Sequence, residues 1–135
     1  MKKVLITGAL GQIGSELTSK LRNEYGIDNV IATDIRSIEG SGVSENGIFK
    51  TLDVMDVNSM ALISKKYNVD TIIHLASLLS AVGEQKPQVA WQLNMGGLTN
   101  ILEVCRELNL KLFTPSSIAA FGASSPKNLT PQDTI

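Results

Sequence analysis

One cysteine, one histidine, four prolines and an aromatic share of 4% are what this 135-residue chain has least of. Cys105 has no partner for an intrachain disulfide, which makes a reducing, cytoplasmic setting the default. With His74 the sole histidine there is no ligand cluster for a transition metal, and no metal is expected. A surplus of basic charge is also missing: 12 Lys and Arg face 13 Asp and Glu, for a net charge of -1. Binding a phosphate backbone draws on such a surplus to displace counterions, so nucleic acid is excluded as a partner. The longest apolar stretch, residues 69–82, is broken by Asp70, Thr71, His74, Ser77 and Ser80. It is too short and too polar to cross a bilayer, so no membrane is expected. At the N-terminus three apolar residues, Val4-Leu5-Ile6, precede Thr7 and Gly8, with no hydrophobic region of a signal peptide.

The apolar residues, 43% of the chain, are mostly aliphatic, and the length allows one domain with one core. Their order repeats a motif of strand, turn and helix. Residues 3–7 form a short β-branched run ending at Gly8. Residues 12–25 carry Ile13, Leu17 and Leu21 at helical spacing, with Gly26 as the stop. Residues 29–33 read as a second strand and 48–52 as a third, with 37–47 a loop between them. Asp56 caps a helix to about Tyr67, striped by Met60, Ile63 and Tyr67. Residues 71–75 are a buried strand. Pro87 opens a helix to about Asn109, and residues 110–114 close with a fifth strand. Such alternation implies an α/β fold, a doubly wound parallel sheet covered on both faces, with strand order 3-2-1-4-5. Residues 124–135, polar and spaced by Pro126 and Pro131, read as a connection. The chain is therefore expected to be the N-terminal part of a longer protein.

Where the first strand turns into the first helix stands Gly8-Ala9-Leu10-Gly11-Gln12-Ile13-Gly14. Gly8 permits the tight turn, Gly11 lets backbone N–H groups approach a pyrophosphate, and Gly14 lets helix and strand pack closely. The phosphates then sit on the positive helix end. A glycine triplet alone is weak, but here a strand precedes it, an amphipathic helix follows, and an acid, Asp34, stands about 20 residues on. Asp34 should accept hydrogen bonds from the adenosine ribose and repel a 2′-phosphate, which selects NAD over NADP. Arg36 is open to two readings, a ligand for that phosphate or a solvated surface residue.

Five segments together resemble the extended short-chain dehydrogenase/reductases, the NAD-dependent epimerase/dehydratase group, and within it the short-chain-type L-threonine 3-dehydrogenases. They are Ile6-Thr7-Gly8 through Gly14, Ala32-Thr33-Asp34-Ile35-Arg36, Leu75-Ala76-Ser77-Leu78-Leu79-Ser80, Trp91-Gln92-Leu93-Asn94-Met95, and Pro115-Ser116-Ser117 through Gly122. The resemblance implies a Rossmann fold, truncated here before its remaining strands and substrate lobe. The NAD site would comprise Gly8, Gly11, Gln12, Ile13 and Gly14, then Asp34, Ile35 and Arg36, then Asp53 and Val54 beside the adenine. Leu75, Ala76 and Ser77 would follow the ribose toward the nicotinamide, and Asn94 would shape its pocket. Asp53 is equally readable as an acid that caps its own turn. Asn94 falls on a core-facing stripe with Leu98, Ile101, Cys105 and Leu108. A buried amide without partners costs about 1–3 kcal/mol, so it either satisfies backbone groups or reaches water. Gly96-Gly97 would permit close packing there. His74 reads as a packed core histidine, and Cys105 as a small hydrophobe.

Alcohol oxidation requires a base for the hydroxyl proton, an acceptor for the hydride and a donor to the charged oxygen. The resemblance implies that Ser117 is this donor, with Ser116 structural, and that a Tyr-x-x-x-Lys base lies beyond Ile135. The chain as given would then bind cofactor without turnover. Ser80 would touch substrate, or is an ordinary loop serine. The implied reaction is oxidation of L-threonine to 2-amino-3-oxobutyrate, with a homodimer as the assembly. A nucleotide-sugar epimerase or dehydratase and a non-catalytic dinucleotide sensor stand as alternatives.

Overall fold

The computed structural model describes residues 2–39, 43, 47–78, 80–117, 121, 122, 125, 126 and 128. Five parallel strands, β1 (Val4–Thr7), β2 (Val30–Asp34), β3 (Phe49–Thr51), β4 (Thr71–His74) and β5 (Lys111–Phe113), lie in the order β3-β2-β1-β4-β5. This is the doubly wound Rossmann arrangement expected from the sequence. Every residue of β1, β2 and β4 is buried, which is why they read as continuous apolar runs. The two edge strands are partly exposed.

Alternate side chains of the central strands enter opposite core layers. Val4, Ile6, Val30, Ala32 and Ile73 meet Leu21 of helix α1 (Gln12–Tyr25). Leu5, Ile31 and Ile72 meet Met60 of α2 (Val57–Lys66) and Ile101, Val104 and Cys105 of a later helix, α5 (Gly97–Leu108). The helix ends follow local chemistry. Asp56 caps α2 by accepting from the Ser59 N–H at 3.0 Å, and Gly26, at φ 92°, closes α1 with its N–H on the Arg22 carbonyl.

Three expectations need correction. Ile13 is 67% exposed, so the buried stripe of α1 is Gly14, Thr18, Leu21 and Arg22. Within the first turn of α1 it is Gly14, packed on Gly8 and Ala9, that faces the sheet. The helix expected from 87 to 109 is three pieces: α4 (Pro87–Trp91), a π-helical turn (Gln92–Gly96) and α5. The wider turn shifts the register, so the buried face of α5 is Gly97, Ile101, Val104 and Cys105, while Asn94, Leu98 and Leu108 are half-buried. A short helix, α3 (Ser80–Gln85), also occupies what read as loop. Glycine at 97 is required by packing, since a Cβ there would lie 2.9 Å from Val54 Cγ2.

Between β2 and β3 the described residues form no helix, and the crossover is held from below. Arg22, 5% exposed, reaches from α1 to donate to the Ile48 carbonyl at 2.8 Å. Gly47, at φ 153°, makes room, because a Cβ there would meet that guanidinium at 2.7 Å. No helix among the described residues is long and apolar enough to cross a membrane.

The central strands carry the stability. Ile72→Ala, at a fully buried position between sheet and helices, should lower the unfolding free energy by about 2–5 kcal/mol. Leu62→Ala on the exposed side of α2 should change it by less than about 0.5 kcal/mol. Denaturant titration of both variants makes the comparison, and equal losses would contradict this core assignment.

Candidate functional site

Parallel pairing brings the strand ends to one edge: Thr7 stands opposite Thr33 on one side and His74 on the other. Immediately beyond Thr7 the chain turns at Gly8, whose φ of 70° is a conformation that side chains disfavour. A Cβ on Gly8 would also strike the Ala76 nitrogen at 2.7 Å, so the turn lies against the backbone that leaves β4. At Gly14 a Cβ would come within 2.1 Å of the Gly8 carbonyl, and this glycine lets α1 start directly on the turn. Gly11 differs from both. Its backbone is ordinary (φ −76°, ψ 172°), and a Cβ would have one neighbour within 4 Å, the Gly8 oxygen at 3.3 Å. Its free side opens outward.

No side chain caps the start of α1, and its first turn contains no acid. The leading N–H groups of such a helix carry partial positive charge, and no side chain caps them here. Gln12 and Ile13 are exposed around this end.

Asp34, the last residue of β2, is 5% exposed. Burial by itself would raise its pKa, but hydrogen bonds from the Arg36 side chain, the Arg36 N–H and the Leu10 N–H, with the Arg36 charge, hold it below the ordinary value. Leu10 N–H donates to Oδ2 at 3.0 Å, which ties the acid directly to the glycine turn. Arg36 donates from its backbone and Nε to Oδ1 at 3.1 and 3.0 Å, and from Nη2 to Oδ2 at 3.2 Å. Ile35 and Arg36 themselves project into solvent. The structure thus unites the two halves of the dinucleotide signature, the loop and its distant acid.

Asp53 is exposed, and its Oδ1 accepts from the Met55 N–H at 2.9 Å, so it caps its own turn. Val54 is buried against Gly97, with its carbonyl held by Asn100 Nδ2 at 3.1 Å. Leu75 and Ala76 are half-buried beside Gly8, and Ser77 is exposed beyond them. From the π turn, the Asn94 amide grips both backbone groups of Leu78, accepting from its N–H at 2.8 Å and donating to its carbonyl at 3.2 Å. Of the two readings open for Asn94, satisfaction of backbone groups is the one realised. Ser116 and Ser117 are exposed after β5, at the same carboxyl edge. The side chain of Ser80, residue 79 and residues 118–120 of the last motif lie outside the described residues.

His74 and Thr7 form a buried pair, Thr7 Oγ1 to Nδ1 at 2.8 Å, that the sequence did not disclose. Burial pushes the His74 pKa down and keeps the ring neutral. Among the described residues no group of three or more His, Cys, Asp or Glu side chains could hold a metal. A depression of about 540 Å³ lined by Lys2, Lys3, Tyr25, Asn29, Asn68 and Asp70 lies at the opposite, amino edge of the sheet, away from the glycine turn.

Two predictions come from this geometry. Gly11→Val should leave the domain folded and abolish NAD binding, because its side chain fills the open side of the loop. Gly14→Val should instead destabilise the fold by about 1–3 kcal/mol or more, by overpacking. Thermal unfolding with calorimetric NAD titration separates them, and normal affinity in a folded Gly11→Val variant would refute a phosphate cradle. For His74, the folded pKa lies below the ordinary 6.5, so the unfolded chain takes up the proton first. Its stabilisation is complete above about pH 6.5 and declines as pH falls toward the folded value. The buried and capping carboxylates act lower, below their ordinary values of 3.8 to 4.5. Unfolding free energy measured from pH 7 to 5 should therefore drop in the native sequence and stay flatter in His74→Asn.

Comparison with known proteins agrees with the geometry. The model of the NAD dependent epimerase/dehydratase family matches residues 4–134. An L-threonine dehydrogenase from Clostridium difficile is 70% identical with a TM-score of 0.93, over 100% of this chain and 42% of that one. A monomeric L-threonine 3-dehydrogenase from a metagenome is 40% identical with a TM-score of 0.87, over 98% of this chain and 42% of that one. A protein of Staphylococcus epidermidis described as an uncharacterized epimerase/dehydratase is 58% identical over 100% of this chain and 42% of its own length. The chain thus spans less than half the length of these relatives.

Proposed function

Because the chain belongs to the NAD dependent epimerase/dehydratase family, and NAD is its cofactor, we propose that the full-length protein oxidises L-threonine to 2-amino-3-oxobutyrate. One observation carries the cofactor half of this reading: the buried Asp34 carboxylate is bonded to the Leu10 N–H of the glycine turn. An acid and a phosphate loop in direct contact suit a ligand that presents a ribose diol next to a diphosphate. The 70% identity to the Clostridium difficile L-threonine dehydrogenase supports the substrate half.

In this reading the uncapped start of α1, with Gly8, Gly11, Gln12, Ile13 and Gly14, receives the diphosphate. Asp34, flanked by Ile35 and Arg36, accepts from the adenosine ribose. Asp53 and Val54 border the adenine. Leu75, Ala76 and Ser77 run along the inner ribose and nicotinamide, and Asn94, through its hold on Leu78, keeps that segment in place. When bound, NAD supplies the acceptor for the hydride that leaves the carbinol carbon. Ser117 donates a hydrogen bond to the reacting oxygen as negative charge develops on it, and Ser80 touches the amino acid. The proton goes to the tyrosine of a Tyr-x-x-x-Lys motif, which the 135 residues do not contain, so this part binds cofactor without turnover. A homodimer in a reducing, cytoplasmic compartment completes the proposal, although the metagenome relative is a monomer.

The assay is reduction of NAD by the full-length protein with L-threonine, compared with nucleotide sugars. Threonine-dependent NADH is expected, and turnover of a nucleotide sugar alone would transfer the protein to the epimerase or dehydratase reading. Binding of NAD without turnover of either would favour a dinucleotide sensor. Within the dehydrogenase, Ser117→Ala should lower turnover about 10²–10³-fold, as loss of one oxyanion donor does, with little change in NAD affinity. Ser117→Thr should retain much of the activity, and Ser116→Ala should be far milder. A damaging Ser116→Ala beside a benign Ser117→Ala would give the donor role to Ser116 instead.

A further inference from the structure

A carboxylate offers about four lone-pair sites, and in Asp34 all four are engaged. Oδ1 holds the Arg36 N–H and Nε, and Oδ2 holds the Leu10 N–H and Arg36 Nη2. Any further donor must displace one of these. The two backbone donors are fixed, one in the glycine turn that Gly8 presses against Ala76, the other two residues along the chain from the acid itself. The guanidinium is different. Its side chain is 60% exposed, against 5% for the carboxylate, and Asp34 is the one partner recorded for it among the described residues. Such a half-solvated ion pair is worth little.

The geometry points to an exchange: we propose that the Arg36 guanidinium occupies in the free protein the two positions on Asp34 that the ribose diol takes in the complex, so that NAD binds by displacing it. This rests on the NAD site proposed above. The replacement is two for two, since the guanidinium fork presents two N–H donors and the diol two O–H donors. It also gives Arg36 a purpose in the free protein. A carboxylate buried to this degree is costly without its donors, and the fork keeps it satisfied until ligand arrives. Once displaced, the guanidinium stays tethered two residues from the acid, at the rim of the site. NAD affinity therefore contains the cost of breaking an internal pair, and Arg36 sets that cost.

Three measurements on the full-length protein test the exchange. First, Arg36→Lys keeps the positive charge but offers no planar fork. Its NAD dissociation constant should tighten about 1.4- to 5-fold, the range that a half-solvated pair of about 0.2–1 kcal/mol converts to. Second, Arg36→Met should lose affinity for NADP relative to NAD, since the cation facing a 2′-phosphate is gone. Third, the Arg36 Nε–H should be protected from solvent exchange in the free protein and lose that protection when NAD binds. Nicotinamide mononucleotide, which lacks the adenosine ribose, should leave it protected. If wild type binds NAD while Arg36→Lys binds it no more tightly, or while the Nε–H keeps its protection, the exchange is wrong and the cofactor site stands. If wild type binds no NAD at all, the site and the exchange fall together.

Discussion

The carboxyl end of β1 is stitched to both of its neighbours, and everything at this edge hangs from those stitches. On one side the Thr7 carbonyl accepts from the Leu75 N–H at 3.1 Å while the Thr7 hydroxyl meets His74. On the other, the Ala9 N–H donates to the Thr33 carbonyl at 3.0 Å, and the Thr33 hydroxyl donates to the Ile6 carbonyl at 2.9 Å. Gly8 therefore turns from a strand end that cannot shift along or away from the sheet. A glycine turn keeps one conformation only when its two ends are held. Here the freedom is confined to the turn, and the side of Gly11 that remains open is the side a ligand can use.

Electrostatically the edge is divided. The start of α1 presents N–H dipoles without a side-chain cap, and beside the turn before it Asp34 presents a buried carboxylate saturated by donors. The two differ in that the helix start has no side-chain cap, whereas the carboxylate has its donors within the chain. The Leu10 N–H bond keeps the two at a fixed separation.

Part-buried side-chain contacts hold the loops at both edges of the sheet. Arg22 holds the crossover into β3 through Ile48, Asn94 holds the segment after β4 through Leu78, and Asn100 holds the turn before α2 through Val54. Buried backbone groups of irregular segments need such partners, since they lack a ladder or helix to satisfy them. Asn94 and Gly97 also depend on the π turn between α4 and α5. That turn sets Asn94 toward Leu78 while allowing Gly97 to rest on Val54.

Local signals determined a good deal. The glycine turn, the cap at Asp56, the stop at Gly26 and the buried strands were all legible, because each is decided by neighbours a few residues away or by uniform burial. Even the strand order followed from the alternation of elements, since right-handed crossovers leave few choices. What escaped involves residues brought together from far along the chain. Nothing near Arg22 indicates a carbonyl at Ile48, and nothing near Thr7 indicates His74. Ile13 keeps the spacing of a core residue, yet it stands 67% exposed because the helix turns Gly14, Thr18, Leu21 and Arg22 inward instead. The pairing of Arg36 with Asp34 is close in sequence, but its meaning comes from the burial of the acid against Leu10. The sequence by itself determined which segments would be strands and helices and which residue types could meet a dinucleotide. Only the tertiary structure decided which donors saturate Asp34, which way Asn94 faces and where the helix after Pro87 changes its winding. Periodicity reports the local direction of a side chain, whereas burial and partners are set by where the other layers end.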